Sequence, residues 1–406
     1  MSIRIAVFSD SINIPPKEGI NVHSYDLLLA LAERDDCTPL LIVCDRGWLS
    51  HEVLEQQPFD TILVPEKDFY DVNFISHILR DVGADIAQSY MTYFGAVILG
   101  PAAQDAGIPC VAELHDLEES VVNVYFAGDE LTQATKIHTE FQQQAAQYAS
   151  LVRIMSQHDF DIIKTKWSDF TSARYFCMPV SRFVEKTASV SQKHRVLYIG
   201  NMSYAPNAEG AEIIRDKISL LLQHEFTFIG RGSEKFANSR IEALGIVDDI
   251  EPYLAETAIG VAPILQGSGM KIKNLTYLSH GIPLITTTLG AQGFPASEAI
   301  IIEDDFSRWP SIIKNLMTKP ELLARLAKIA RDYFELHFEI TRTTERLIEL
   351  YKRAIDSYSI TALQLPSRSI AKYTEVDMRH VYWLRELREA GTGAVTQATV
   401  VKGKTV

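Results

Sequence analysis

The sequence predicts an α/β protein of two doubly wound, Rossmann-like parallel-sheet domains facing a cleft, and three observations predict it. Short β-rich runs alternate with longer segments of helical period along most of the 406 residues. The runs are apolar at nearly every position, as strands buried on both faces must be, and such strands pair in parallel beneath covering helices. The alternation breaks at a polar segment near residue 180 and then begins afresh.

In the first half the strand-like runs are IRIAVF (3–8), PLLIVC (39–44), TILVP (61–65), DIAQS (85–89), IPCVAEL (108–114) and SLVRIMS (150–156). Helical stretches lie between them, among them VHSYDLLLALAER (22–34) and a Gln- and Ala-rich segment (130–149). VSRFVEKTASVSQKHR (180–195) reads as a hinge linker. The second half runs VLYIG (196–200), a helical stretch (207–223), FTFIG (226–230), a helix ending near Leu244, AIGVAPI (258–264), a further helix, and PLITT (283–287). Beyond Ser307 the period is almost entirely helical through residue 355. VYWLRELREA (381–390) reads as one more short helix, and GTGAVTQATVVKGKTV as a loose tail. The expected domains are therefore 1–190, 191–355, and an extension over 356–406, partly helical and then a flexible tail.

Composition narrows the function. With 47% hydrophobic and 22% charged residues the chain is of soluble globular type. A net charge of -13 argues against nucleic acid as a partner. Cys37, Cys44, Cys110 and Cys177 are scattered without C-x-x-C spacing and read as buried thiols of a reducing compartment. No apolar run approaches the roughly 20 residues that span a bilayer. The expected location is the cytoplasm, with contact at the inner membrane face left open.

The motif that carries chemistry is QGSGMKIKN (266–274), where a buried strand ends in two glycines and a helix begins. Gly267 and Gly269 allow a sharp turn that points the N–H groups of Gly269, Met270 and Lys271 at one anion, for which a diphosphate is the obvious fit. Lys271 and Lys273, two apart, do not share a helix face, so at most one reaches the same phosphate from the helix. Taken alone, the stretch equally describes a glycine turn with two solvated lysines.

Its surroundings go further. YIGNMSYAPNAEGAEII (198–214), FIGRGSEKF (228–236), LGIVDDIEPYLAETAIGVAPI (244–264), QGSGMKIKN and YLSHGIPLITTTLGAQG (277–293) occur in this order. Together they resemble the C-terminal domain of the GT-B glycosyltransferases, specifically the retaining family 4 type that uses nucleotide-sugar donors. The likeness covers roughly residues 195–355, and the first half matches only in pattern. It implies a donor site with Gly200 and Arg231 bordering the diphosphate. The 244–250 turn, with Val247, would hold the nucleobase, and Gly267, Ser268, Gly269 and Met270 would cradle the phosphates. Lys271 or Lys273 would neutralise the leaving nucleoside diphosphate, an electrostatic catalysis that requires no metal or other cofactor. Many relatives carry two glutamates eight positions apart; here the matching positions are Ser268 and Thr276. Thr276 can still hydrogen-bond a ribose hydroxyl.

In the first half, VAELHDLEES (111–120) places Glu113, His115 and Asp116 where a buried strand ends. The resemblance gives His115 a role at the sugar or the acceptor, and Asp116 could take the acceptor proton. A His–Asp pair capping the strand, or Asp116 as a helix N-cap, is the plainer reading. SDSINIPPKEGINVHS (9–24) holds Gly19 and His23, candidates for an acceptor or phosphate loop, although an ordinary surface turn reads the same way. YMTYFGA (90–96) offers rings to a sugar or to the core. The resemblance also sends the helical segment 320–355 back to the first domain, tying both together so that a closing cleft excludes water.

The function the resemblance implies is hexosyl transfer from a nucleoside-diphosphate sugar to a glycan, lipid-linked or small-molecule acceptor, as in polysaccharide biosynthesis. A non-catalytic nucleotide-sugar or glycan-binding protein and a sugar-nucleotide epimerase share the framework.

Overall fold

The computed structural model describes residues 2–16, 19–168, 170–183, 194–222, 226–358 and 398–404. Its strands, in chain order, are β1 (Ile3–Ser9), β2 (Cys37–Asp45), β3 (Asp60–Pro65), β4 (Ile86–Ser89), β5 (Cys110–Leu114), β6 (Leu151–Ile154), β7 (Tyr175–Cys177), β8 (Arg195–Ile199), β9 (Phe226–Ile229), β10 (Ile241–Ala243), β11 (Thr257–Ala262), β12 (Leu284–Thr286), β13 (Ile300–Ile302) and β14 (Thr399–Val401).

They form two sheets in two compact units, Met1–Pro179 with Thr341–Val406, and Val180–Ile340. The boundaries differ from the expected 1–190 and 191–355. The last long helix, Ile340–Ser357, packs within the first unit, where fully buried Tyr351 hydrogen-bonds Gln88 and Lys352 reaches Asp36 at 2.7 Å. Most of the expected linker, and the helix expected at 381–390, lie outside the described residues.

In the first unit the strand order is β14-β3-β2-β1-β4-β5-β6-β7, and β1 pairs in parallel with both β2 and β4. In the second it is β10-β9-β8-β11-β12-β13, all parallel. Each order reverses once, at β1/β4 and at β8/β11. Helices leave on opposite faces of the sheet at such a switch point, and the strand C-terminal ends there open a crevice for ligands. β1, β2, β4, β5 and β11 are buried along nearly their whole length, which accounts for the mostly apolar runs of β1, β2 and β11.

Two expectations are corrected. Residues 241–243, expected in a helix ending near Leu244, form the edge strand β10, with Ile241 opposite Phe226. Asn238 Oδ1 accepts the backbone N–H of Arg240 at 2.8 Å and of Ile241 at 3.0 Å. This side-chain turn competes with helix, and Gly245, at φ 69°, closes the run. The expected loose tail contains β14, which pairs antiparallel with β3. Its residues are β-branched, Val401 is buried, and Lys402 reaches Asp60 at 2.6 Å. Among the described residues no helix is long and apolar enough to cross a membrane.

Candidate functional site

In the second unit the loops after β8, β9 and β11 meet at the switch point. Glycine is what lets them meet. A Cβ on Gly230 (φ 132°) would lie 2.0 Å from the Gly200 carbonyl oxygen, and one on Gly200 3.0 Å from Lys273 Nζ and 3.1 Å from the Asn207 amide. Backbone bonds lock the loops, Gly200 N–H to Ile229 O (3.0 Å), Met202 N–H to Arg231 O (2.7 Å) and Gly230 N–H to Gly245 O (2.7 Å). The last draws the turn containing Val247 beside the one containing Arg231. From the β12 side, Thr286 and Thr287 donate to Ala262 O and Ile264 O, and buried Asn274 donates to Gly290 O.

The expected anion seat has the right chemistry. Gly267 and Gly269 take φ 104° and 66°, and the helix Ile272–Ser279 starts after Lys271 with no side chain capping its amides. Among the described residues, the backbone N–H groups of Gly269 and Met270, both buried, have no acceptor. Buried unpaired amides at a helix start are costly unless an anion or water takes them.

The two lysines behave differently, as their spacing requires. Lys271 folds back onto its own turn, donating to Ser268 O and, at 3.1 Å, to Gly269 O. Lys273 points at Gly200, donates to Asn207 Oδ1 at 2.7 Å and sits 4.6 Å over the Tyr198 ring. Burial, and behind it the charge of Lys271, pushes its pKa down to about 7. Thr276 does not stand open: its hydroxyl donates to Ile272 O at 3.2 Å and accepts from Arg182 Nη1 at 2.8 Å. Arg182, Asn207 and Tyr198 were missed in the sequence. Asn207 and Tyr198 lie inside the quoted strand–turn–helix, whereas nothing local flags Arg182, 94 positions from its partner.

In the first unit a polar cluster occupies the ends of β1, β4 and β5. His115 follows β5, and His23 comes from the helix Gly19–Ala32; their ring centroids are 5.4 Å apart, and Tyr90 lies 5.7 Å from His115. The Tyr90 hydroxyl is 2.9 Å from Ser9 Oγ. Asp10 is buried beside it, accepting from Tyr70 at 3.3 Å; burial pushes its carboxyl up, against the lowering charge of Arg46. Gly19 starts its helix on the surface, and the preceding residues 17–18 lie outside the described residues. Asp116 is half-buried, and its carbonyl accepts from Gln142 at 2.7 Å. It is not a helix N-cap: the short turn Glu118–Ser120 begins after Leu117 without a side-chain cap. Of the YMTYFGA rings, Phe94 is core, stacked on Phe69, and Tyr93 packs on Phe141.

Behind His115 lies a pair that sequence reasoning missed. Arg153 and Glu113, neighbours in the β5/β6 register, are 0% and 3% exposed and 2.7 Å apart. An arginine inside the apolar run SLVRIMS was the available signal, since a charge in a buried strand demands a partner. Burial works against the Glu113 carboxylate, but Arg153 and the nearby imidazoles override it and hold the carboxyl well below the usual range. His23, Glu113 and His115 place potential metal-ligand atoms within 4.8 Å of one another. The Arg153 guanidinium on the same carboxylate opposes a divalent cation there.

These features, glycine-bound loops at a switch point beside uncapped helix amides and a buried lysine, belong to the class of nucleotide-binding α/β domains. The class narrows with the comparisons: residues 193–318 match the family model of the glycosyl transferases group 1. No curated protein matches the chain. Among solved structures, sucrose-phosphate synthase from Thermosynechococcus elongatus is 15% identical, with a TM-score of 0.72 over 88% of this chain and 100% of that one. Anabaena HepE, in complex with UDP and glucose, is also 15% identical, with a TM-score of 0.67 over 86% and 100%. WaaG, a glycosyltransferase involved in lipopolysaccharide biosynthesis, is 14% identical, with a TM-score of 0.59 over 87% and 98%. The chain therefore has the GT-B fold, two parallel-sheet domains.

Proposed function

We propose that the protein is a glycosyltransferase that takes a hexosyl group from a nucleoside-diphosphate sugar held by the second unit and passes it, with retention, to a glycan, lipid-linked or small-molecule acceptor held by the first. The observation that carries the reading is the paired presence of acceptor-less amides on Gly269 and Met270 and the Lys273 ammonium, both at the β8/β11 switch point and inside the glycosyltransferase group 1 match. A diphosphate accepts from the former and is neutralised by the latter. Charge that builds on the departing phosphate meets donors already in place. Lys271, turned onto its own loop, holds the shape of the seat. Thr276 reaches a ribose hydroxyl only by sharing with Arg182.

HepE, crystallised with UDP and with UDP-glucose, makes these the first ligands to try. A panel of UDP-, GDP- and dTDP-sugars is scored by rise in melting temperature and by donor loss. Stabilisation with slow hydrolysis or transfer supports the proposal. Stabilisation without turnover under any acceptor would favour a binding protein, and no stabilisation by any nucleotide would refute the donor site.

A further inference from the structure

We propose that Glu113, clamped by Arg153, is a positioning residue that keeps the proton of the neutral His115 imidazole on Nε2, so that Nδ1 is the nitrogen offered to a substrate hydroxyl. The identity of that hydroxyl, on sugar or acceptor, rests on the glycosyltransferase reading. The tautomer does not.

Arg153 is held on three sides, by Glu113 Oε1 at 2.7 Å, Pro179 O at 2.9 Å and Met178 O at 3.3 Å. Replacing a buried ion pair by apolar residues is often neutral or stabilising, so stability is a weak reason for one in the middle of two apolar strands. What the clamp does achieve is geometric. It fixes a carboxylate whose other oxygen, Oε2, lies 3.8 Å from His115 Nε2. Nε2 is shut off from solvent and has no hydrogen-bond partner, so the group it faces at ion-pair range is that carboxylate. A lone pair on Nε2 would face negative charge, whereas an N–H there is attracted by it. With the proton on Nε2, the neutral ring accepts at Nδ1.

The other groups around the ring do not reverse this choice. His23, from the helix Gly19–Ala32, meets it edge-on and adds to the positive side of Glu113. Tyr90, after β4, is engaged at its hydroxyl by Ser9 and feels Asp10 beyond it. Tyr351, from the helix Ile340–Ser357, is buried near Glu113 and Arg153 and bonds Gln88. His115 also begins just beyond the C-terminal end of β5, two strands from the switch point at β1, where a parallel sheet offers its groups to ligands.

The test is imidazole 15N NMR of the full-length protein, with the His115 signals identified by their loss in His115→Gln. Two-bond couplings report which nitrogen carries the proton. The wild type should show the Nε2–H form of His115 in roughly tenfold excess once the ring is neutral. In Glu113→Gln the excess of the Nε2–H form should fall. If the lone Arg153 charge prevents that variant from folding, Glu113→Gln with Arg153→Gln removes both charges. A wild-type His115 carrying its proton on Nδ1, or an unchanged tautomer ratio in a folded variant, overturns the proposal. Because the spectrum needs no turnover, an inactive protein that shows the Nε2–H form would sink the enzymatic reading and leave this one standing.

Discussion

At the proposed donor site, Lys273 should make nucleotide binding weaken as pH rises. Its pKa, pushed down to about 7 by burial, means that near neutrality half the molecules lack the charge that would meet a diphosphate. If the ammonium is the binding-competent form, the apparent Kd scales with one plus the ratio of neutral to charged amine. That factor is about 1.1 at pH 6 and about 11 at pH 8, so affinity weakens roughly tenfold between them. A nucleotide sugar is the right probe, because its pyrophosphate is esterified at both ends and has no proton to lose in this range. Calorimetry in buffers of different ionisation enthalpy should count close to one proton taken up per ligand at pH 8. Lys273→Met keeps the stem over Tyr198 while removing the charge, and should give a flat, uniformly weak profile. An affinity independent of pH in the wild type, or the same slope in Lys273→Met, refutes the reasoning.

Further outcomes follow from the same contacts. The folded pKa of Lys273 lies below its unfolded value of about 10.4, so the unfolded chain holds more protons across that window and stability rises with pH from 7 towards 10. Lys273→Met should remove that rise, its melting temperature gaining on the wild type most near pH 6. Gly230→Ala drives a Cβ into the Gly200 carbonyl at a φ of 132°, and should cost about 1–3 kcal/mol in urea unfolding while abolishing nucleotide binding. Arg153→Met leaves Glu113 buried without its partner and should cost about 3–5 kcal/mol near neutral pH. Since the Glu113 carboxyl is held below the unfolded value of about 4.3, that difference should shrink as pH falls below 4. Val401→Asp places a charge at the buried end of β14 and should cost about 1–3 kcal/mol without altering nucleotide affinity.

The strands flanking the switch points were legible because burial on both faces leaves AIGVAPI with no polar interruption and IRIAVF with only the exposed Arg4. The glycine turn at Gly269 was legible because its parts are contiguous: strand end, glycines, helix start. β10 was not, since three residues on a sheet edge give no period, and the cue was the Asn238 turn rather than the apolar pattern. β14 hid in a polar tail because an edge strand needs one buried side chain, Val401, and backbone bonds that leave no mark on composition. The pairings that went unseen join residues distant in sequence. Glu113 meets Arg153 40 positions on, and Thr276 meets Arg182 94 positions back. Only the sheet register or the helix packing brings such groups together.

The most direct measurement is a crystal structure with a nucleotide sugar at saturating concentration, collected at pH 6, where Lys273 is charged. Pyrophosphate oxygens should accept from the Gly269 and Met270 amides with Lys273 Nζ in contact. Pyrophosphate bound away from the β8 and β11 strand ends, with those amides turned to protein or water, would contradict the account.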